Sequence, residues 1–165
     1  MSKPKPPQEP PSSLKSHAGF WLRFVSNHAS HAFAEKLRAS GVTPAEWVVL
    51  REMFDAELRE IFDGATTAPS EIAQIIGMTR GAVSRLIDRL LRKKLVTRKV
   101  SSEDHRYQEI RLTPAGLQLV PTLASVADES DREFFSCLSE RERKKLVEMF
   151  KRLAQANNLS KFPIE

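Results

Sequence analysis

Residues 70–112 read SEIAQIIGMTRGAVSRLIDRLLRKKLVTRKVSSEDHRYQEIRL, and the order of patterns inside this stretch decides the fold. Ser70 to Gly77 spells a short helix, with Ile72, Ala73 and Ile76 turned inward and Gly77 placed to stop it. Met78 and Thr79 lead directly into a second helix, from about Arg80 to Lys93. Two short helices joined by a glycine-containing turn are the helix-turn-helix pattern, whose second helix enters the major groove of DNA. Leu95–Val100 and Gln108–Leu112 then alternate, with Val96, Val100, Ile110 and Leu112 as the inward positions of a two-stranded hairpin. The polar run between them, Ser101 to Tyr107, reads as an exposed wing tip.

On a helical wheel the Arg80–Lys93 segment separates into two faces, because residues three and four apart lie above one another. Val83, Leu86, Ile87, Leu90 and Leu91 share one side and anchor the helix; Gly81, Ser84, Arg85, Asp88, Arg89 and Arg92 share the other. An arginine fork pairs with guanine O6 and N7 together, discriminating by about 1–3 kcal/mol per good pair. Arg85 is the candidate for base readout, and Arg80 suits a base or a phosphate. Thr79 and Ser84 are short donors for phosphate or base edges. Gly81 would let the backbone approach closely. Asp88 is spaced to orient either Arg85 or Arg92. Arg98, on the first wing strand, is expected to hold phosphate, so that its loss lowers affinity evenly across sequences. A solvated charged face would explain the helix alone. It does not explain a short helix, a basic helix and a charged hairpin in succession.

Outside this stretch the elements are helical. Leu14 to about Ala39 carries Phe20, Trp21, Leu22, Phe24 and Val25 close together, an apolar spread wider than one stripe, as expected of a helix that also covers a partner chain. Thr43-Pro44-x-Glu46 is a capping box with proline at the first helical position. Trp47, Leu50, Met53 and Phe54 follow at helical spacing, and Leu58, Ile61 and Phe62 extend the pattern towards Gly64. Thr113-Pro114 starts another helix running towards Leu138, with a bend expected at Pro121. Ser139-x-x-Glu142 boxes the last helix, which ends near Asn157. The predicted fold is mainly α (α+β): a winged helix-turn-helix over about 43–112 with a two- to three-stranded wing, framed by long N- and C-terminal helices.

The chain has 165 residues and a formal charge of +5. Residues 14–165 read as a single domain, and the proline-rich stretch 1–13 as a disordered tail. Between Ser70 and Arg106 the basic residues (Arg80, Arg85, Arg89, Arg92, Lys93, Lys94, Arg98, Lys99, Arg106) outnumber the acidic ones (Glu71, Asp88, Glu103, Asp104) by five, so the entire excess charge lies in the winged segment. A basic segment on a balanced scaffold predicts a local polyanion footprint. The single cysteine, Cys137, precludes an internal disulfide, and no signal peptide or membrane span is recognisable, so the cytoplasm is the expected compartment. There is no glycine-rich phosphate loop, nucleophile elbow or paired His-Glu motif, which argues against an enzyme. His28 and His31 lack further ligands at metal spacing, so neither a metal nor a cofactor is expected.

The run Asp104-His-Arg106-Tyr-Gln-Glu-Ile110-Arg-Leu112-Thr113-Pro-Ala-Gly116 resembles the wing signature of MarR-type regulators. Val83-Ser-Arg-Leu-Ile-Asp-Arg-Leu90 is similar to that family's recognition helix, and Thr43-Pro-Ala-Glu-Trp47 to the start of its second helix. The resemblance covers roughly residues 14–158. It implies a cytoplasmic transcription regulator, a ligand-responsive repressor that binds pseudo-palindromic double-stranded DNA as a homodimer. The helices at about 14–39 and 114–158 would form the dimer region. Arg106 would reach the minor groove from the wing tip, and Asp104 would hold the tip in shape. Two features depart from the family: Lys94 stands where a glycine often ends the recognition helix, at a cost of about 1–2 kcal/mol if that residue is left-handed, and the link Asp55–Thr67 is long.

Family members respond to small aromatic ligands, and Trp21, Phe24, His28 and Trp47 are the residues expected near such a cleft; the same tryptophans read equally as core. Cys137 sits in an apolar run, where a thiol is normally inert rather than a redox sensor. The rival from another class is a winged helix used as a protein-protein interaction module without DNA readout. Loss of sequence preference in Arg85→Ala, against an even loss of affinity in Arg98→Ala, separates the two.

Overall fold

The computed structural model describes residues 11–63, 69–100 and 108–159. The elements run α1 (Ala18–Leu37), α2 (Pro44–Asp63), α3 (Pro69–Ile76), α4 (Arg80–Arg92), β1 (Val96–Val100), β2 (Gln108–Leu112), α5 (Pro114–Phe134) and α6 (Glu140–Ala156), with a 3₁₀ turn before α1 and another after it. The expected tail, apart from its last three residues, lies outside the described residues. So does the wing tip with Asp104 and Arg106.

Local chemistry sets the helix ends. The Thr43 N–H donates to Glu46 Oε2 (2.8 Å) and the Glu46 N–H donates back to Thr43 Oγ1 (3.3 Å), so the capping box is closed in both directions. The reciprocal pair is also present at Ser139 and Glu142. Gly41 and Gly77, both at φ 63, end the helices before them, a conformation glycine adopts without steric cost. The α2 pattern persists to Asp63, so most of the expected long link is helix. α5 continues across Pro121 as one helix to Phe134, stopping short of Leu138.

The end of α4 places Lys94 in the left-handed position whose cost the sequence raised. Lys94 has φ 58, its N–H donates to the Leu91 carbonyl (2.9 Å), and the Leu95 N–H reaches back to Leu90 (3.1 Å). These are the two closing bonds of a glycine-type helix stop, built here on a lysine.

The core joins α2, α3, α4, the hairpin and α5 through Leu50, Met53, Ile72, Val83, Leu86, Ile87, Leu90, Val96, Ile110, Val120 and Leu123, all buried. β1 and β2 pair antiparallel with Val96 opposite Leu112 and Arg98 opposite Ile110, so the hairpin buries one face, as its alternation predicts. Among the described residues the wing has two strands. Glu57 of α2 accepts the Leu112 N–H at 2.6 Å and ties the wing base to the helices. At the other extreme, α6 buries no residue, and Val147, Phe150 and Leu153 stand about half exposed.

Candidate nucleic-acid interface

α4 follows α3 after a three-residue turn, and its position is set from both ends. At the start, Thr79 Oγ1 accepts the Ala82 N–H (3.1 Å), which leaves only its hydroxyl proton for an outside acceptor. Val83, Leu86, Ile87 and Leu90 fasten the inner face. Arg80, Gly81, Ser84, Arg85 and Arg92 are exposed, and Arg80, Arg85 and Arg92 form no hydrogen bond or ion pair with any described residue. Among the described residues a methyl group added at Gly81 would meet only Arg85 Nη1, at 3.9 Å, so none of them requires glycine there.

Three other cations of the basic set, Arg89, Lys93 and Arg98, are engaged internally. Glu46, the capping-box carboxylate, is fully buried and receives the Lys93 ammonium on Oε2 at 2.7 Å, while the same ammonium donates to the Gly41 carbonyl at 2.7 Å. Arg89 Nε stands 3.4 Å from Glu46 Oε1 as an ion pair without a hydrogen bond, and that oxygen has no hydrogen-bond partner among the described residues. Arg89 therefore leans towards α2 rather than straight outward. Burial pushes the Glu46 carboxyl up, but the hydrogen bonds from Lys93 and the Thr43 N–H, together with the Lys93 charge, outweigh it and hold the group below the usual glutamate range. Asp88 takes Arg98 of the wing, Oδ1 to Nη2 at 2.7 Å, and not Arg85 or Arg92 as its helical spacing allowed.

The exposed face thus concentrates a short hydroxyl, a bare backbone position and unpaired guanidinium groups on the second helix of a helix-turn-helix, beside a hairpin. The sequence pattern of the MarR family matches residues 40–106, from the turn before α2 to just short of β2. A putative transcriptional regulatory protein for the hcr operon of Thauera aromatica is 27% identical over 142 residues, which span 86% of this chain and 81% of that one. The HTH-type transcriptional regulator PrsX of Escherichia coli is 30% identical over 110 residues, 67% of this chain and 63% of that one. The structure of the Staphylococcus aureus MepR–DNA complex superposes with a TM-score of 0.73 at 27% identity, covering 85% of this chain and 98% of the other.

Across its winged helix-turn-helix the chain is similar to the MarR family. It is a transcription regulator of winged helix-turn-helix fold, and its relatives are named regulators from a non-enzymatic family. The residues expected near a ligand divide in two. Trp21, Phe24 and His28 share an exposed face of α1, where the Phe24 and His28 rings lie 4.3 Å apart and His28 Nδ1–H donates to the Phe24 carbonyl (2.8 Å). Trp47 instead packs in the core. A hollow of ≈ 220 Å³ opens between α1 and α5, lined by Phe33, Ser130, Asp131 and Phe134 among others, and by none of those four residues. Cys137, expected in apolar surroundings, is exposed, because α5 ends before it and α6 does not cover it. Among the described residues no His, Cys, Asp and Glu group could hold a metal, and no helix is long and apolar enough to cross a membrane.

Two functional arrangements were not legible in the sequence. Glu46 reads locally as a helix cap, and no signal within that turn points to Lys93, 47 residues away. Arg98 reads as a free cation, because its carboxylate lies on another element.

Proposed function

We propose that this MarR-like regulator binds pseudo-palindromic double-stranded DNA as a cytoplasmic homodimer, with α4 in the major groove and the wing in the minor groove. The observation that carries this reading is the set of guanidinium groups on the outward face of α4 that no described residue pairs, beside the exposed backbone of Gly81. Arg85 reads a base edge, Arg80 and Ser84 hold phosphate or base, and the Thr79 hydroxyl proton points to phosphate. Arg89, shared with Glu46, contributes charge at the rim. Arg106 enters the minor groove and Asp104 shapes the tip, as the family resemblance implies. The half-exposed apolar residues of α1 and α6 supply the surface that a second copy covers, and the two winged units would then address half-sites about 34–36 Å apart.

Duplexes selected from a random pool by the wild-type protein test this. Arg85→Ala is expected to lose about 1–3 kcal/mol, roughly five- to 150-fold in affinity, at one base position in each half-site, with two chains bound per duplex. Unchanged preference in Arg85→Ala, or one chain per duplex, would refute the reading.

The regulator is further proposed to be a repressor released by a small planar aromatic acid, with Trp21, Phe24 and His28 forming one wall of the site and Trp47 supporting it from the core. A molecule that binds the folded state raises its melting temperature by mass action. At least one member of an aromatic-acid panel is expected to raise it, less so in His28→Ala. A flat response across the panel removes the effector from the proposal.

A further inference from the structure

Asp88 is a carboxylate on the face of α4 that carries Arg85 and Arg92, and a negative charge on a surface meant for a polyanion lowers affinity. Its side chain is 52% exposed, and an ion pair exposed to this degree adds little to folding stability. Its place needs another reason. The partner it selects supplies one: of the cations within reach, Asp88 holds the wing's Arg98 and leaves Arg85 and Arg92 free.

Arg98 is the third of five residues in β1, directly opposite Ile110, on the hairpin face that buries Val96, Ile110 and Leu112. The base of the wing is held by apolar contact, which is non-directional, and by the Glu57 carboxylate on the Leu112 N–H, at the root of the hairpin. A five-residue strand is a lever of about 16 Å, so a tilt of about 10° at its base carries the far end about 3 Å, a whole hydrogen-bond length. The pair grips this lever midway along, opposite Ile110 and beyond the root contacts of Val96 and Leu112.

We propose that Asp88 and Arg98 form a positioning pair for sequence readout, setting the angle of the wing on the recognition helix although neither residue reads a base. The inference rests on the DNA reading above. It also reverses the expectation that Arg98 is a plain phosphate contact: its loss would damage discrimination, not only affinity.

The test measures affinity for a duplex selected from a random pool by the wild-type protein and for its scrambled counterpart, in wild type, Asp88→Ala, Arg98→Ala, the double variant and Arg98→Lys. A purely electrostatic role shifts both duplexes alike, upward for Asp88→Ala and downward for Arg98→Ala, and leaves their ratio unchanged. A merely structural role lowers the melting temperature. The positioning role predicts a ratio lowered about ten-fold in each single alanine variant, the size of a coupling between contacting residues, with no further loss in the double. Melting temperatures stay near wild type, and Arg98→Lys retains most of the ratio. An unchanged ratio, additive losses in the double variant, or loss of ratio only in step with loss of folding would overturn the proposal. A wild-type protein with no preference for any selected duplex would instead overturn the DNA reading itself, and the pair's role with it.

Discussion

Gly116→Ala is expected to cost about 3–5 kcal/mol of folding stability, although alanine is the better helix former and Gly116 lies in the first turn of α5. A Cβ at this position would stand 2.2 Å from the Leu95 carbonyl oxygen, 3.3 Å from its carbon and 3.2 Å from Leu112 Cδ2. The carbonyl cannot simply retreat. It accepts the Thr113 N–H at 3.0 Å, the Leu95 N–H is bound to Leu90, and the Thr113 hydroxyl donates to the neighbouring Lys94 carbonyl at 2.9 Å. Relief of the clash breaks bonds worth about 1 kcal/mol each at the point where α4, the wing and α5 meet. For a chain of this size that loss lowers the melting temperature by about 6–20 °C. Ala115→Gly is the control: its site is exposed, and only the helix propensity of about 1 kcal/mol is at stake. If Gly116→Ala melted no lower than Ala115→Gly, the close approach would be wrong.

Glu46→Gln should destabilise by about 2–4 kcal/mol near neutral pH, because it removes the buried anion that Lys93 and the Thr43 N–H both address. Lys93 then keeps the Gly41 carbonyl but loses its counter-charge, and the C-terminal end of α4 loses its hold on α2. Arg89, which adds weaker attraction at 3.4 Å, would turn freely towards solvent. The folded carboxyl is held below its unfolded value, so its contribution is complete above about pH 4.3, where an unfolded glutamate titrates. It declines as pH falls through the folded value. The gap between wild type and Glu46→Gln, measured by denaturant unfolding, should therefore be constant at neutral pH and narrow in acid. A gap that widened on acidification would contradict the direction of the shift. The variant's DNA affinity should also fall, because the C-terminal end of α4 then keeps only the Lys93 bond to the Gly41 carbonyl where it held the Glu46 carboxylate as well.

Much of this architecture is encoded within a few residues of where it appears. The boxes at Thr43 and Ser139, the stop at Gly77 and the proline after Thr113 act over one helical turn, so a short window of sequence contains every group involved. The alternation of β1 and β2 is equally local and names the buried positions Val96, Ile110 and Leu112. The outward placement of Arg85 follows from the period of α4 alone.

What escaped such reading are choices among partners far apart in the chain. Asp88 had two arginines at helical spacing and took a third from the hairpin; Glu46 closed its cap and then met Lys93. Trp47 and Trp21 look alike in composition, yet one is core and the other lies open. Gly116 passes for a weak helix residue until the Leu95 carbonyl is set against it. A periodic pattern states which face of an element is apolar, but not how one element is rotated and shifted against the next. Those few ångströms of packing select the ion pairs and the close approaches.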